Sequence, residues 1–395
     1  MHADRAAIAT ALAALDAGAL RRRRRVIDHF PVPHDGTRAS VAGRLVRVFC
    51  SNDYLGLAHH PELSAALQAS SRQYGVGSGA AHLITGHSRP HQQLEEELAE
   101  YTGRERALLF STGYMANLGV LAALADRSES VLEDRLNHAS LIDGARVSGA
   151  HLLRYAHADV SAAALALEAH PDCTLIASDG LFSMDGDVAP LRELSILASR
   201  HRAWLLVDDA HGLGVLGATG RGSLELAGLD SSAAPLLIGT LGKAMGCSGA
   251  FVAGDSELIE LVLQRARTYI YTTALPPAVA AAASAALRLA QRESWRREKL
   301  RALVSRLRAG AAALALPLLA SDSPIQPLMV GEAARALRLS EALFELGYWV
   351  SAIRPPTVPA GSARLRITLS AAHSEADIDE LLAALGRVWR ADGAP

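Results

Sequence analysis

Gly239-Thr240-Leu241-Gly242-Lys243-Ala244-Met245-Gly246 follows the apolar run Pro235-Leu236-Leu237-Ile238, and the reading of the chain turns on that junction. Pro and Gly bound the run, as they bound a buried strand. A lysine just past such a strand, between Gly242 and Gly246, lies where backbone can approach a ligand closely. A lysine taken at random is a solvated surface residue. Here the flanking residues are Gly, Thr, Met and Cys rather than charged ones. An amine in apolar surroundings has its pKa pushed down, which makes it a nucleophile and an imine former.

Upstream, Leu205-Leu206-Val207-Asp208-Asp209-Ala210-His211-Gly212 is another apolar strand, ending in acid and imidazole. An acid at a strand tip can be a turn former. This strand is buried by its composition, so Asp208 needs a compensating partner, and a protonated heteroaromatic nitrogen would serve. Asp208 and Lys243 then stand at the tips of successive strands. An amine for the imine and an acid for the pyridinium proton are what pyridoxal phosphate (PLP) requires.

Working outward, strands are expected at 107–110, 131–133, 152–155, 174–178, 204–208, 236–239 and 250–253. Helices are expected at 91–102, 114–125, 139–148, 160–169, 190–202 and 255–267. Such alternation implies an α/β fold whose mainly parallel, seven-stranded sheet is covered on both faces, with ligands at the C-terminal strand ends. Before it, residues 2–20 read as an amphipathic helix with Ile8, Leu12 and Leu15 on one face. Arg21 to Arg25 suit a helix C-terminus, and 45–50 reads as a strand. After Pro276-Pro277 a long helical region runs to about 316. Strands at 325–330, 348–353 and 365–369 and helices at 332–346 and 374–391 follow, a smaller α+β domain. The expected division is an N-terminal segment 1–50, a large domain 51–285 and a small C-terminal domain 286–395.

The chain has 395 residues, half of them hydrophobic, with a formal net charge of −2. Nothing in that balance asks for nucleic acid or an anionic membrane. The uncharged stretch 268–287 reaches membrane-span length, but Pro276, Pro277 and its alanines indicate a loop and then a buried helix. Cys50, Cys173 and Cys247 have no metal spacing, so no metal site is expected. Residues 1–5 lack a signal-peptide core, and a reduced, cytoplasmic protein is expected.

Phe110-Ser111-Thr112-Gly113-Tyr114-Met115-Ala116-Asn117 is a strand, a small turn and a helix start, where N–H groups and the helix dipole favour a phosphate. His138, in Leu136-Asn137-His138-Ala139-Ser140, sits at another strand-to-helix turn, where its ring is either structural or stacked on a planar ligand. Gly212-Leu213-Gly214-Val215-Leu216-Gly217 formally matches a dinucleotide fingerprint. It does not directly follow the strand, and Ala218-Thr219-Gly220-Arg221-Gly222 after it is no helix start, so a dinucleotide site is not expected.

Taken together, Ser51-Asn52-Asp53-Tyr54-Leu55-Gly56, Phe182-Ser183-Met184-Asp185-Gly186-Asp187, Asp208-Asp209-Ala210-His211-Gly212 and the Lys243 segment resemble the α-oxoamine synthases through nearly the whole chain. These are fold-type-I PLP transferases that condense an amino acid with an acyl thioester and release CO₂. Ile353-Arg354-Pro355-Pro356-Thr357-Val358-Pro359, followed by Ala363-Arg364-Leu365-Arg366, is most similar to the branch that joins L-alanine to a pimeloyl group on CoA or a carrier protein. The resemblance implies that Lys243 holds PLP covalently and that Asp208 pairs with the ring nitrogen. His211 and Ser183 would meet the ring oxygen, and His138 would stack on the ring. Gly113, Tyr114 and Thr240 would hold the phosphate, and Thr273 would reach the phosphate of a partner subunit in a homodimer. Arg354 and Asn52 would grip the amino-acid carboxylate, and Arg21 and Thr357 would touch the acyl substrate. Asp179 stands where the family often has Glu, one methylene longer. A synthase of the same family using glycine or serine, a nicotinamide-dependent dehydrogenase and a non-catalytic binding protein are the alternatives.

Overall fold

The computed structural model describes residues 5–393. Its first elements are α1 (Arg5–Ala17), β1 (Arg38–Val41), β2 (Arg44–Val48), α2 (Pro61–Tyr74), α3 (Arg89–Thr102), β3 (Arg106–Phe110), α4 (Gly113–Leu124), β4 (Ser130–Asp134), α5 (Ala139–Ser148) and β5 (His151–Tyr155). Then come α6 (Val160–Ala169), β6 (Cys173–Asp179), α7 (Leu191–His201), β7 (Trp204–Asp208), α8 (Ser223–Ala227), β8 (Leu236–Thr240), β9 (Ala250–Gly254), α9 (Ser256–Arg265), α10 (Arg267–Ile270) and α11 (Pro277–Arg292). The remainder is α12 (Trp295–Ala313), β10 (Ile325–Gly331), α13 (Ala333–Glu345), β11 (Tyr348–Trp349), β12 (Ser351–Ile353), β13 (Ala363–Thr368) and α14 (Glu375–Ala391).

These elements divide into two units. The sheet unit comprises Leu55–Ser183 and Asp187–Arg297; the terminal unit comprises the chain up to Tyr54, Met184–Gly186 and the chain from Glu298 onward. The boundary expected at 285/286 falls inside α11, and the N-terminal segment belongs to the same unit as the C-terminal elements.

The sheet unit is built on seven strands in the order β3-β9-β8-β7-β6-β4-β5. Strands β4 to β8 are parallel, while β9 runs antiparallel to both β8 and β3. Successive side chains of a strand face opposite ways. Leu206, Leu236 and Ile238 therefore join one apolar cluster with Val120 and Leu121 of α4, while Leu205, Val207 and Leu237 join a second with Leu194 and Leu197 of α7. Each such leucine contributes about 1.5–3 kcal/mol by leaving water. This two-sided burial is why the strands read as continuous apolar runs. All seven lie where the sequence places them, within a residue or two at each end.

The terminal unit holds two three-stranded sheets, β1-β2-β11 and β10-β13-β12. The single strand expected over 348–353 is split. The Val350 carbonyl accepts a 2.6 Å hydrogen bond from Ser340 Oγ, and the two halves pair in different sheets, β11 with β2 and β12 with β13. The expected amphipathic helix near the N-terminus forms as α1 but buries none of its residues; Ile8 is 57% exposed. Four elements, β1, α2, α8 and α10, were not anticipated. Strand β1 joins β2 through Ala42 and Gly43, both at positive φ, as a two-residue hairpin requires. Helix α2 opens on Pro61, and of its apolar side chains only Leu63 is buried, so its periodicity is faint. The uncharged stretch resolves into α10, a loop and α11; no helix among the described residues is long and apolar enough to cross a membrane.

The loop between β8 and β9 is tightly fixed. Leu241 N–H donates to the Gly249 carbonyl at 2.9 Å, Cys247 N–H to the Leu241 carbonyl at 2.8 Å, and Gly246 N–H to the Lys243 carbonyl at 2.9 Å. Gly246 has φ +63°, and a Cβ there would lie 2.3 Å from the Ala58 nitrogen. Gly246→Ala is therefore expected to destabilise the protein by about 2–4 kcal/mol, because backbone cannot yield and the left-handed conformation adds its own cost. Thermal unfolding checks this: an unchanged midpoint would show that the loop is looser than its contacts imply.

Candidate active site

Strands β7 and β8 are adjacent and parallel, with Asp208 opposite Ile238, so their C-terminal ends share one edge of the sheet. That edge carries Asp208 and, just past Thr240, the loop with Lys243. Leu241, Ala244 and Met245 are buried, and Lys243 itself is half-buried. The loop thus anchors the lysine at its backbone.

Asp208 is 5% exposed. Its Oδ2 accepts a 2.6 Å hydrogen bond from Asn117 Nδ2 and its Oδ1 one of 3.0 Å from the Ala210 N–H. Both donors are neutral. Asn117 lies on α4, 1% exposed, and its Nδ2 also donates to Ser140 Oγ at 2.8 Å. Its Oδ1 is buried without a partner. An unsatisfied buried oxygen costs about 1–3 kcal/mol, so the amide is held in place for its Nδ2 contacts.

His138 caps the N-terminus of α5, with Nδ1 2.6 Å from Ser140 Oγ and its backbone N–H donating to Asp179 Oδ2 at 2.8 Å. Part of His138 reaches solvent, yet the protein around its ring lowers the pKa. Burial contributes most, opposed by Asp208 and reinforced by Lys243. Asp179 sits opposite Asp208 in the β6–β7 register. Its carboxyl is pushed well up by burial and then by Asp208, against lowering from the His138 N–H and Lys243. Four of these groups, Lys243, Asp208, His138 and Asp179, therefore lie within electrostatic reach of one another. The shorter Asp179 serves the histidine backbone.

Helix α4 begins at Gly113, behind Thr112, whose hydroxyl accepts from the Met115 N–H at 3.1 Å. A Cβ at Gly113 would meet nothing within 4 Å. The first N–H groups of this twelve-residue helix, at Gly113 and Tyr114, thus open onto space suited to an anion. The Tyr114 hydroxyl is turned to Asp143. Thr240 Oγ1 donates to the Gly249 carbonyl at 3.1 Å and accepts from the Gly242 N–H at 3.2 Å, bracing the lysine loop. His211 is buried in the turn after β7 and Ser183 is half-buried after Phe182. His157 stands edge-on to Phe182 at 4.5 Å, held between Asp134 and Asp187, which push its pKa up to about 10. Thr273 is exposed on the loop before α11.

This set fits PLP. A lysine amine, a buried carboxylate beside it and an anion-accepting helix start at an open glycine match an aldehyde, a ring nitrogen and a phosphate. The formal dinucleotide pattern at 212–217 leads to no helix until α8, of five residues.

The remaining expected residues lie in the terminal unit. Asn52 Oδ1 accepts from Arg366 and from the Tyr54 hydroxyl, each at 3.2 Å. Arg354 donates to the Ala19 carbonyl, and its guanidinium pKa is lowered by burial and then by Arg22. Arg22, not Arg21, reaches Thr357, at 3.1 Å; Arg21 pairs with Asp16 at 2.6 Å. Sequence reasoning gave no role to Asn117, Arg22, Arg366 or His157. For Asn117 a signal existed, since it is the lone amide in the apolar helix run 114–124.

Residues 46–385 match the family model for class I and II aminotransferases. A protein of Thioalkalivibrio sulfidiphilus named 8-amino-7-oxononanoate synthase is 60% identical over 94% of this chain and 94% of its own. One of the same name from Methylococcus capsulatus is 59% identical over 95% of this chain and 97% of its own. Among solved structures, serine palmitoyltransferase from S. paucimobilis with bound PLP superposes with a TM-score of 0.92. It is 32% identical and covers 98% of each chain.

Proposed function

The chain belongs to the class I and II aminotransferase family, and from that premise we propose that it is the 8-amino-7-oxononanoate synthase of biotin synthesis, a member of the α-oxoamine synthases. L-Alanine and a pimeloyl thioester give 8-amino-7-oxononanoate, CO₂ and the thiol of the carrier. The new bond joins the alanine Cα to the pimeloyl carbonyl carbon, while the thioester and the Cα–carboxylate bonds break. The observation that carries the reading is the placing of Lys243 and Asp208 on neighbouring parallel strand ends, beside the open start of α4.

PLP, when bound, withdraws the electrons released at Cα. The chain supplies the rest. Lys243 would hold the cofactor covalently, and its amine would take the Cα proton and return it to the product. Asp208 keeps the proton on the ring nitrogen, and Asn117 aims the carboxylate that does so. His138 would cover the ring face, and His211 and Ser183 would meet its oxygen. The N–H groups at Gly113 and Tyr114, with Thr240, take the phosphate. Arg354 and Asn52 fix the alanine carboxylate, and Arg21 and Thr357 meet the acyl group, since a guanidinium fork suits a carboxylate. The working form is a homodimer in which the exposed Thr273 serves the partner's phosphate site. A cytoplasmic location accords with cysteines that form no disulfide among the described residues.

The test is mass spectrometry of products from alanine and pimeloyl-CoA, with release of CoA thiol followed in parallel. Alanine is expected to give 8-amino-7-oxononanoate. A preference for glycine or serine would move the chain to another synthase of the family. NADH binding without PLP colour would overturn the reading.

Asn117→Ala is expected to lower kcat about 10–100-fold, the range for a group that orients a reacting one. The thermal midpoint should fall modestly, because Asp208 and Ser140 lose a buried donor, and the pH titration of the cofactor's absorbance should shift. Full activity with an unmoved titration would show that Asp208 does not depend on the amide.

A further inference from the structure

The terminal unit concentrates more positive charge than the roles of Arg21 and Arg354 use. A cavity of ≈ 940 Å³ is lined by six arginines, at 21, 23, 24, 25, 338 and 354, against two acids, Asp16 and Glu341. Its size is within the range of small-molecule sites, about 300–1,000 Å³.

The acids are already engaged. Asp16 binds Arg21 at 2.6 Å and reaches Arg23 only at 3.9 Å, and Glu341 binds Arg25 at 2.5 Å. Arg338 shares Asp392 with Arg335 and has the longer contact, 3.4 Å against 2.6 Å. Arg24 makes no hydrogen bond or ion pair among the described residues. The side chains of Arg23 and Arg338 are 81% and 63% exposed. Like charges brought together repel unless a counter-charge joins them.

A single carboxylate matches a single guanidinium fork. In the reaction above, the alanine carboxylate engages Arg354 and the acyl group engages Arg21. With Arg25 held by Glu341, three guanidiniums remain, more than any carboxylate of the two substrates calls for. Phosphate offers several anionic oxygens, and arginine binds it bidentately.

We propose that this cavity binds the phosphate groups of the acyl donor's carrier, with Arg23, Arg24 and Arg338 as the contacting residues, an inference that rests on the acyl-transfer reading. The phosphates of CoA and the phosphopantetheine phosphate of a carrier protein share that chemistry.

The experiment compares the PLP-loaded enzyme with Arg23→Ala/Arg24→Ala/Arg338→Ala, using pimeloyl-CoA, pimeloyl-loaded carrier protein and pimeloyl-N-acetylcysteamine, which has no phosphate. KM for at least one phosphate-bearing donor is expected to rise about tenfold at unchanged kcat. KM for the N-acetylcysteamine thioester should stay put, and the corresponding triple lysine variant should recover most of the loss. The donor that responds identifies the source of the phosphate. Unchanged KM for both phosphate donors, or an equal rise for the phosphate-free thioester, overturns the proposal. Calorimetric titration with CoA alone separates the two readings. If the wild type turns over none of the donors, the acyl-transfer reading fails. The cavity is then judged by whether the triple variant binds CoA about tenfold more weakly or equally, the latter result overturning it.

Discussion

Lys243→Ala loses turnover of alanine and pimeloyl-CoA by about 10⁴-fold or more, the scale on which removing a covalent catalyst acts. The fold survives the change. The loop's hydrogen bonds run through backbone groups, and the buried anchors are Leu241, Ala244 and Met245 rather than the lysine side chain. Circular dichroism and the thermal midpoint should match the wild type. Borohydride reduction followed by peptide mapping should place a pyridoxyl label on Lys243 in the wild type and none in the variant. Turnover within tenfold of wild type would remove the lysine from the chemistry.

Asp208→Asn lowers kcat by about 10²–10³-fold, as expected when a fixed charge facing developing charge is lost. The asparagine carbonyl can still accept from Asn117 Nδ2, while its amide loses the bond from the Ala210 N–H. A second readout does not depend on activity. Asp208 is the second cause, after burial, that holds the Asp179 carboxyl above its ordinary value. Neutralising it should let Asp179 ionise at lower pH, which infrared difference spectroscopy of the carboxyl band can follow. An unmoved Asp179 would mean that the two acids are screened from one another.

The sheet was legible because its burial is two-sided. Runs such as Leu205–Val207 and Leu236–Ile238 are apolar without interruption, and their ends are marked by Asp208 and Gly239. The lysine and the acid could be read for the same reason, since a charge at the end of such a run has to be accounted for. What escaped has a different cause. Asn117 acts through two hydrogen bonds to residues distant in sequence, Ser140 and Asp208, and no local pattern encodes them. The break at Val350 depends on the Ser340 hydroxyl, which only the folded chain brings near. The contact of Arg22 with Thr357 joins residues far apart in sequence, and within a run of five arginines spacing does not single one out.

Strand β3 occupies one edge of the seven-stranded sheet, and its ladder is formed with β9 alone. The five strands β4 to β8 are all synthesised between the two. A nascent chain therefore carries Ala107-Leu108-Leu109-Phe110 out of the ribosome long before a backbone partner exists for it. Late, long-range closure of this kind is slow and leaves sticky segments exposed. Chaperone occupancy during translation should persist until Ala250–Gly254 has emerged and then fall, because the strand behind the lysine loop is also the one that closes the sheet.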